Sequence, residues 1–283
     1  MERIKRSWQL AKASFSVLKQ DKELLLFPLI SAIIMFFVTL TFLLPTLFGN
    51  FFDQILNTGV PVFGYVVLFL FYLVQYTVVY FNNTALVGAA MIRLRGGDPK
   101  VKDGFKTALS RFAPILGWSL FSATVGLLLN MLSQNSGEKG GGVRSFIASM
   151  LGAAWNVVTF LVVPVVAIEG LGPIKAIERS FNLLKRSWGE QIAGTLSIGL
   201  VFGLIGVLGG LLIAGLGVGL SFLLDSFLPG LLLGILLIVF ILILSLLSST
   251  LNGIFSAAVY AYAAEGQAGL IDESLIQGAI NPS

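Results

Sequence analysis

The chain contains no cysteine and no histidine, and only 11% of its 283 residues are charged. Without cysteine there are no thiol nucleophiles, structural disulfides or thiolate metal sites; without histidine there are no Ser-His-Asp triads, imidazole general bases or imidazole zinc ligands. No pair of carboxylates lies inside an apolar stretch, so aspartyl-type hydrolysis and acidic proton relays also lack their carriers. The glycine-rich "GVLGG" at 206–210 sits in an apolar run with no lysine after it, which does not suit a phosphate-binding loop. These absences predict a non-enzymatic protein with no cofactor and no metal.

What fills the sequence instead is apolar. Hydrophobic residues make up 56% of the chain, and the mean hydropathy is +0.93, far above the range of water-soluble domains. A hydrocarbon core of about 30 Å is crossed by about 20 apolar residues in helical form, because backbone donors and acceptors must pair within the segment. Six stretches satisfy this, near 24–48, 60–92, 112–133, 145–168, 191–224 and 228–264. They are continuously apolar, whereas barrel strands alternate over about 10 residues. The opening "MERIKRSWQLAK" is basic and polar, and the apolar run that follows is too long for a signal-peptide core, so the first span is expected to be retained.

Lys and Arg set the expected orientation, since cytoplasmic loops retain them. Sixteen lie before span one, between spans two and three, or between spans four and five, while only Lys139 and Arg144 lie on the other side. Both termini are therefore expected in the cytoplasm. The net charge of +4 reads as a topology signal, not as a nucleic-acid footprint, because the basic residues are dispersed among membrane-flanking segments.

A short phrase recurs. "SFSVLK" at 14–19 returns as "SFNLLK" at 180–185. Around the first, Ile4, Trp8, Ala11, Phe15 and Leu18 form a helical stripe; around the second, Ile174, Ile177, Phe181, Leu184 and Trp188 repeat it. A fainter third copy runs through Val101, Phe105, Ala108 and Phe112. Each is expected as an amphipathic helix in the headgroup layer, with Trp8, Phe15, Lys19, Phe105, Phe181, Lys185 and Trp188 as candidate lipid contacts. The ends of the units also correspond. Asn82, Asn156 and Asn252 each precede a glycine by fourteen residues (Gly96, Gly170, Gly266), and a charged residue stands before each glycine. Fourteen helical residues rise about 21 Å, which places the three asparagines deep, toward the far side.

These patterns predict an all-α polytopic membrane helix bundle. Six transmembrane helices form three hairpin repeats, each preceded by a cytoplasmic amphipathic helix. The units cover residues 1–97, 98–171 and 172–267 of one membrane domain, with a tail at 268–283. Asn82, Asn83, Asn156, Thr159 and Asn252 either bond between helices or line a polar cavity. Three sets of small residues at four-residue spacing in span five (Gly199 and Gly203; Gly206, Gly210 and Ala214; Gly215 and Gly219) read as close helix packing.

The stretches "SFSVLKQDKELLLFPLIS", "YFNNTALVGAAMIRLRGGDPKVKDGFKTAL", "WNVVTFLVVPVVAIEGLGPIKAIERSFNLLKRSWGE" and "YAYAAEGQ" together resemble a family of uncharacterised prokaryotic multi-span membrane proteins. That family is distantly similar to the membrane domain attached to some glycerophosphodiester phosphodiesterases. The resemblance implies a helical bundle in a prokaryotic cytoplasmic (inner) membrane. It carries over no catalytic residue, because the phosphodiesterase activity resides in a separate soluble domain. The expected partners are membrane lipids and a protein at the cytoplasmic face, with no nucleic acid. Two functions follow as expectations: lipid or partner binding in envelope organisation, or transport of a neutral or lipidic solute.

Overall fold

The computed structural model describes residues 14–48, 62–134, 150–152 and 154–266. Helix α1 covers residues 14–20, and a 3-10 turn, Lys22–Leu25, leads into α2 (Leu26–Phe48). Then come α3 (Val62–Leu94), α4 (Val101–Ser110) and α5 (Phe112–Gln134). Residues 154–159 form α6, followed by α7 (Val162–Glu169), α8 (Pro173–Leu223) and α9 (Leu228–Glu265). No strand occurs among the described residues.

Among the described residues, five helical segments are long and apolar enough to cross a membrane: Lys22–Leu44, Val66–Leu94, Met150–Glu169, Val201–Leu223 and Leu228–Glu265. A sixth arises if α4 and α5, bent by 72° at their junction, count as one span. The protein is all-α, with the length and composition of a polytopic membrane protein.

The helix ends follow from local chemistry. Gly96, Gly170 and Gly266 have φ of 84°, 67° and 69°, the left-handed conformation that glycine adopts without steric penalty and that closes a helix. Their N–H groups donate to Arg93 O at 2.9 Å, Val166 O at 3.1 Å and Tyr262 O at 3.0 Å. These are the three glycines that close the units in the sequence. Pro173 and Pro229 stand in the first turns of α8 and α9, where a missing N–H deprives the helix of nothing.

Burial is concentrated at one end of the bundle. On α3 the described residues from 66 to 81 are all at least partly exposed, and burial begins at Asn82; on α9 it begins at Thr250. The last turns of α3, α7 and α9 pack on one another and form the core with Ala85, Leu86, Met91, Leu161, Val165, Leu251 and Ile254. Toward the opposite end α8 and α9 pack chiefly on each other, with Gly206 against Leu244, Gly209 against Phe240 and Gly217 against Leu233. Their outward side chains are bare, Leu211 at 68% and Phe222 at 84%; such a surface is compatible with lipid, not with water.

Two expectations change. The second amphipathic helix and the fifth span are not separate elements: α8 is one helix of 51 residues, since no Gly-Pro turn or polar loop interrupts "RSFNLLKRSWGEQIAG". The glycine stripe of α8 is only partly a packing seam, because no atom of the described residues lies within 4 Å of where a Cβ would stand on Gly199, Gly203, Gly215 or Gly219. The spacing of the asparagines from the closing glycines does not by itself set their depth. Asn252 is 24 residues from the start of α9 and 14 from Gly266, and α9 at about 57 Å far exceeds a hydrocarbon core. The terminal glycine therefore need not mark the membrane surface.

Candidate functional site: interfacial helices and buried amides

The two copies of the phrase adopt one arrangement. Ser14 and Ser180 are fully buried, Val17 and Leu18 correspond to buried Leu183 and Leu184, and Phe15 and Phe181 point outward at 40% and 43% exposure. The Lys19 ammonium lies 5.4 Å from the Phe15 ring centroid, and that of Lys185 lies 4.6 Å from the Phe181 ring. Each is a cation over an aromatic face, four residues along the helix. The expected stripe placed Phe15 and Phe181 on one face with Leu18 and Leu184; instead the leucines enter the core while the rings and Ile174, 74% exposed, face away from it. A helix lying between protein and lipid is apolar on two faces, and periodicity alone does not say which one the protein covers.

A small residue before the aromatic lets each helix approach a neighbour. The Ser180 hydroxyl donates to Val158 O at 2.6 Å. In the third copy Gly104 replaces serine, and a Cβ there would come within 2.5 Å of the Ala85 carbonyl oxygen and the Phe27 ring. Phe105 consequently packs against protein on one side, with ring centroids 5.3 Å from Phe27 and 6.1 Å from Phe81, and is half-buried. Trp8 lies outside the described residues, as does the side chain of Trp188.

These contacts also fix the level of the asparagines. Ala85, beneath α4, is three residues from Asn82, and Val158, beneath α8, is two from Asn156; a rise of about 1.5 Å per residue puts both amides within one turn of an amphipathic helix. Asn82 is 2% exposed, and its Nδ2 donates to Val78 O at 2.9 Å. Asn252 is half-buried, with Nδ2 donating to Ser248 O at 2.9 Å. The Oδ1 atoms of both are buried without a hydrogen-bond partner among the described residues. Asn156, in contrast, is exposed, and Thr159 turns its hydroxyl back to Trp155 O at 2.7 Å. Asn83 is half-buried. Three equivalent inward-facing amides are thus not observed; two share one local geometry and the third does not. Clefts of about 440 and 410 Å³ lie between α8 and α9 among residues such as Leu220, Phe222 and Leu233, and the amides do not line them.

The charged groups beside the closing glycines form contacts that periodicity did not reveal. Arg93 Nε meets Asp21 at 2.5 Å and its Nη2 meets Asp98 at 2.6 Å; Arg95 meets Glu265 at 2.5 Å, joining the ends of α3 and α9. Glu169 Oε1 accepts from Arg179 Nε and from the Tyr260 hydroxyl, each at 2.9 Å, which ties α7, α8 and α9 together. Arg111 donates to Ile168 O at 3.1 Å, against the negative end of the α7 dipole. The sequence expectations do not include an aromatic ladder on α3: Tyr72, Tyr76 and Tyr80 stack at centroid distances of 6.5 and 5.8 Å, and Tyr80 continues to Trp118 at 5.8 Å. The four-residue spacing of the tyrosines was its visible signal.

Residues 62–270 match a family of unknown function, DUF6159. No curated protein matches the chain. The comparisons give no support to a tie with the phosphodiesterase membrane domain.

Proposed function

The chain belongs to this family of unknown function, and we propose that it is a non-enzymatic membrane protein whose amphipathic helices bind lipid headgroups at the cytoplasmic face in envelope organisation. The observation that carries this reading is the shared geometry of 14–19 and 180–185. In both, leucine anchors the helix to the core, phenylalanine projects outward, and lysine stands over its ring. An outward ring suits the acyl boundary, and a lysine on a flexible stem suits a phosphate above it. The same surface would accept a protein partner. The helices belong to three hairpin units in a prokaryotic inner membrane with both termini cytoplasmic; the common left-handed closing glycines and the Lys and Arg distribution support this arrangement.

Lipid selectivity tests the reading. Purified protein should gain more thermal stability from added phosphatidylglycerol than from phosphatidylcholine, and Lys19→Ala with Lys185→Ala should remove most of the difference. Equal stabilisation of the unmodified protein by both lipids would refute it. A second reading, transport of a neutral or lipidic solute, draws on the unpartnered amide oxygens of Asn82 and Asn252. It predicts flux into proteoliposomes above that into empty liposomes, lost on replacing either amide with leucine.

A further inference from the structure

We infer that Asn82 and Asn252 form one acceptor site between α3 and α9 for a small neutral hydrogen-bond donor, a water molecule or the hydroxyl of a small solute. Each amide is held in the same way. Its Nδ2 is engaged by the carbonyl one turn back, Val78 or Ser248, both at 2.9 Å. That anchoring leaves Oδ1 as the free end of each amide, and both Oδ1 atoms are buried with no partner among the described residues. A buried carbonyl oxygen without a donor is costly in a medium of low polarity, and native structures satisfy such atoms with protein or ordered water.

The two amides lie at one level. Arg95 pairs with Glu265 at the ends of α3 and α9, and Leu86 is the side chain that a Cβ on Gly253 would strike. Both pairings set the helices parallel with nearly the same offset in residue number, and that offset also matches Asn82 with Asn252. Asn82 lies one turn from Leu86 on the same face of α3, while Asn252 is the chain neighbour of Gly253. The level is also that of α4, whose Gly104 sits over Ala85. A donor could therefore arrive from the headgroup layer without crossing the hydrocarbon core.

The chemistry limits the occupant. Two neutral carboxamide oxygens present acceptors and no charge, so they fit a group with two O–H donors, or one donor shared between them. Two oxygens are too few to strip a metal cation of its hydration, since hard cations take six or more. No carboxylate takes part, which argues against an ammonium group.

A double-substitution cycle in a fixed detergent tests the site. Asn82→Leu and Asn252→Leu should each lower the apparent melting temperature, and the double variant should fall by clearly less than the sum, because the first replacement already releases the shared donor. Additive losses would overturn the inference. Small polyols separate the two occupants. A saturable rise in melting temperature for the unmodified protein that is absent from both variants identifies a solute hydroxyl; sub-additive losses with no such rise identify water. If the double variant does not fold, a high-resolution structure of the unmodified protein in a lipid nanodisc decides. Non-protein density within about 3.2 Å of both Oδ1 atoms is expected, and protein donors on both oxygens would refute the site.

Discussion

Gly104 shows how much depends on single residues here, because its missing side chain allows α4 to seat on α3. A methyl group at that position would collide with the Ala85 carbonyl and the Phe27 ring, whereas one at Gly203 would meet none of the described residues within 4 Å. Gly104→Ala should lower thermal stability markedly, while Gly203→Ala should leave it unchanged or raise it by up to about 1 kcal/mol through helix propensity; parallel melting curves in one detergent check both. The ion pairs should rank by burial. The side chains of Arg93 and Asp21 are 17% and 8% exposed, those of Arg95 and Glu265 52% and 30%. Asp21→Ala should therefore destabilise more than Glu265→Ala, whose effect should not exceed about 1 kcal/mol. Neither ion pair was legible in the sequence, where Asp21 and Arg93 stand 72 positions apart and Arg93 reads only as membrane-flanking charge. The asparagines were legible as unusual residues but not as a set, since spacing from a glycine fixes height on a helix and says nothing of whether a neighbour covers that face. Asn156 has the spacing and lacks the cover.

At the scale of elements, the amphipathic helices carry the functional argument, and their two faces separate experimentally. Leu184 is 1% exposed and Phe181 43%. Leu184→Ala should cost about 2–5 kcal/mol in any solubilising medium, as a large-to-small change in a core does. Phe181→Ser should leave stability in detergent nearly intact and weaken the stabilisation that lipid provides; comparing melting in detergent with melting in nanodiscs checks the contrast. A Phe181→Ser loss in detergent as large as that of Leu184→Ala would mean that the ring packs against protein. Helix existence and helix ends were readable from apolar length and from Gly96, Gly170 and Gly266, because both depend on local chemistry. The continuity of α8 was not, since a polar-to-apolar change along "LLKRSWGEQIAG" looks like a boundary although its residues are compatible with unbroken helix. The bend between α4 and α5 was half-visible, as a polar segment entering an apolar one at Arg111.

Across the whole molecule, polarity is divided between two ends. Asp21, Arg93, Arg95, Glu169, Arg179 and Glu265 meet around the closing glycines, while α8 and α9 carry an almost wholly apolar surface to their connection at Asp225. Such a molecule has a packed, ion-paired end and an end whose exposed helix faces are apolar enough to suit lipid. The proposed orientation puts the packed end in the cytoplasm, where the amphipathic helices meet headgroups. The absence of native cysteine makes this directly measurable. Single cysteines replacing Asn57, Gly140 and Ser226 should react with an impermeant thiol reagent added to intact cells, and those replacing Lys12, Lys102 and Gln277 should react only after the membrane is opened. Labelling of Lys102→Cys in intact cells would put α4 and the closing glycine of α3 outside and contradict the account.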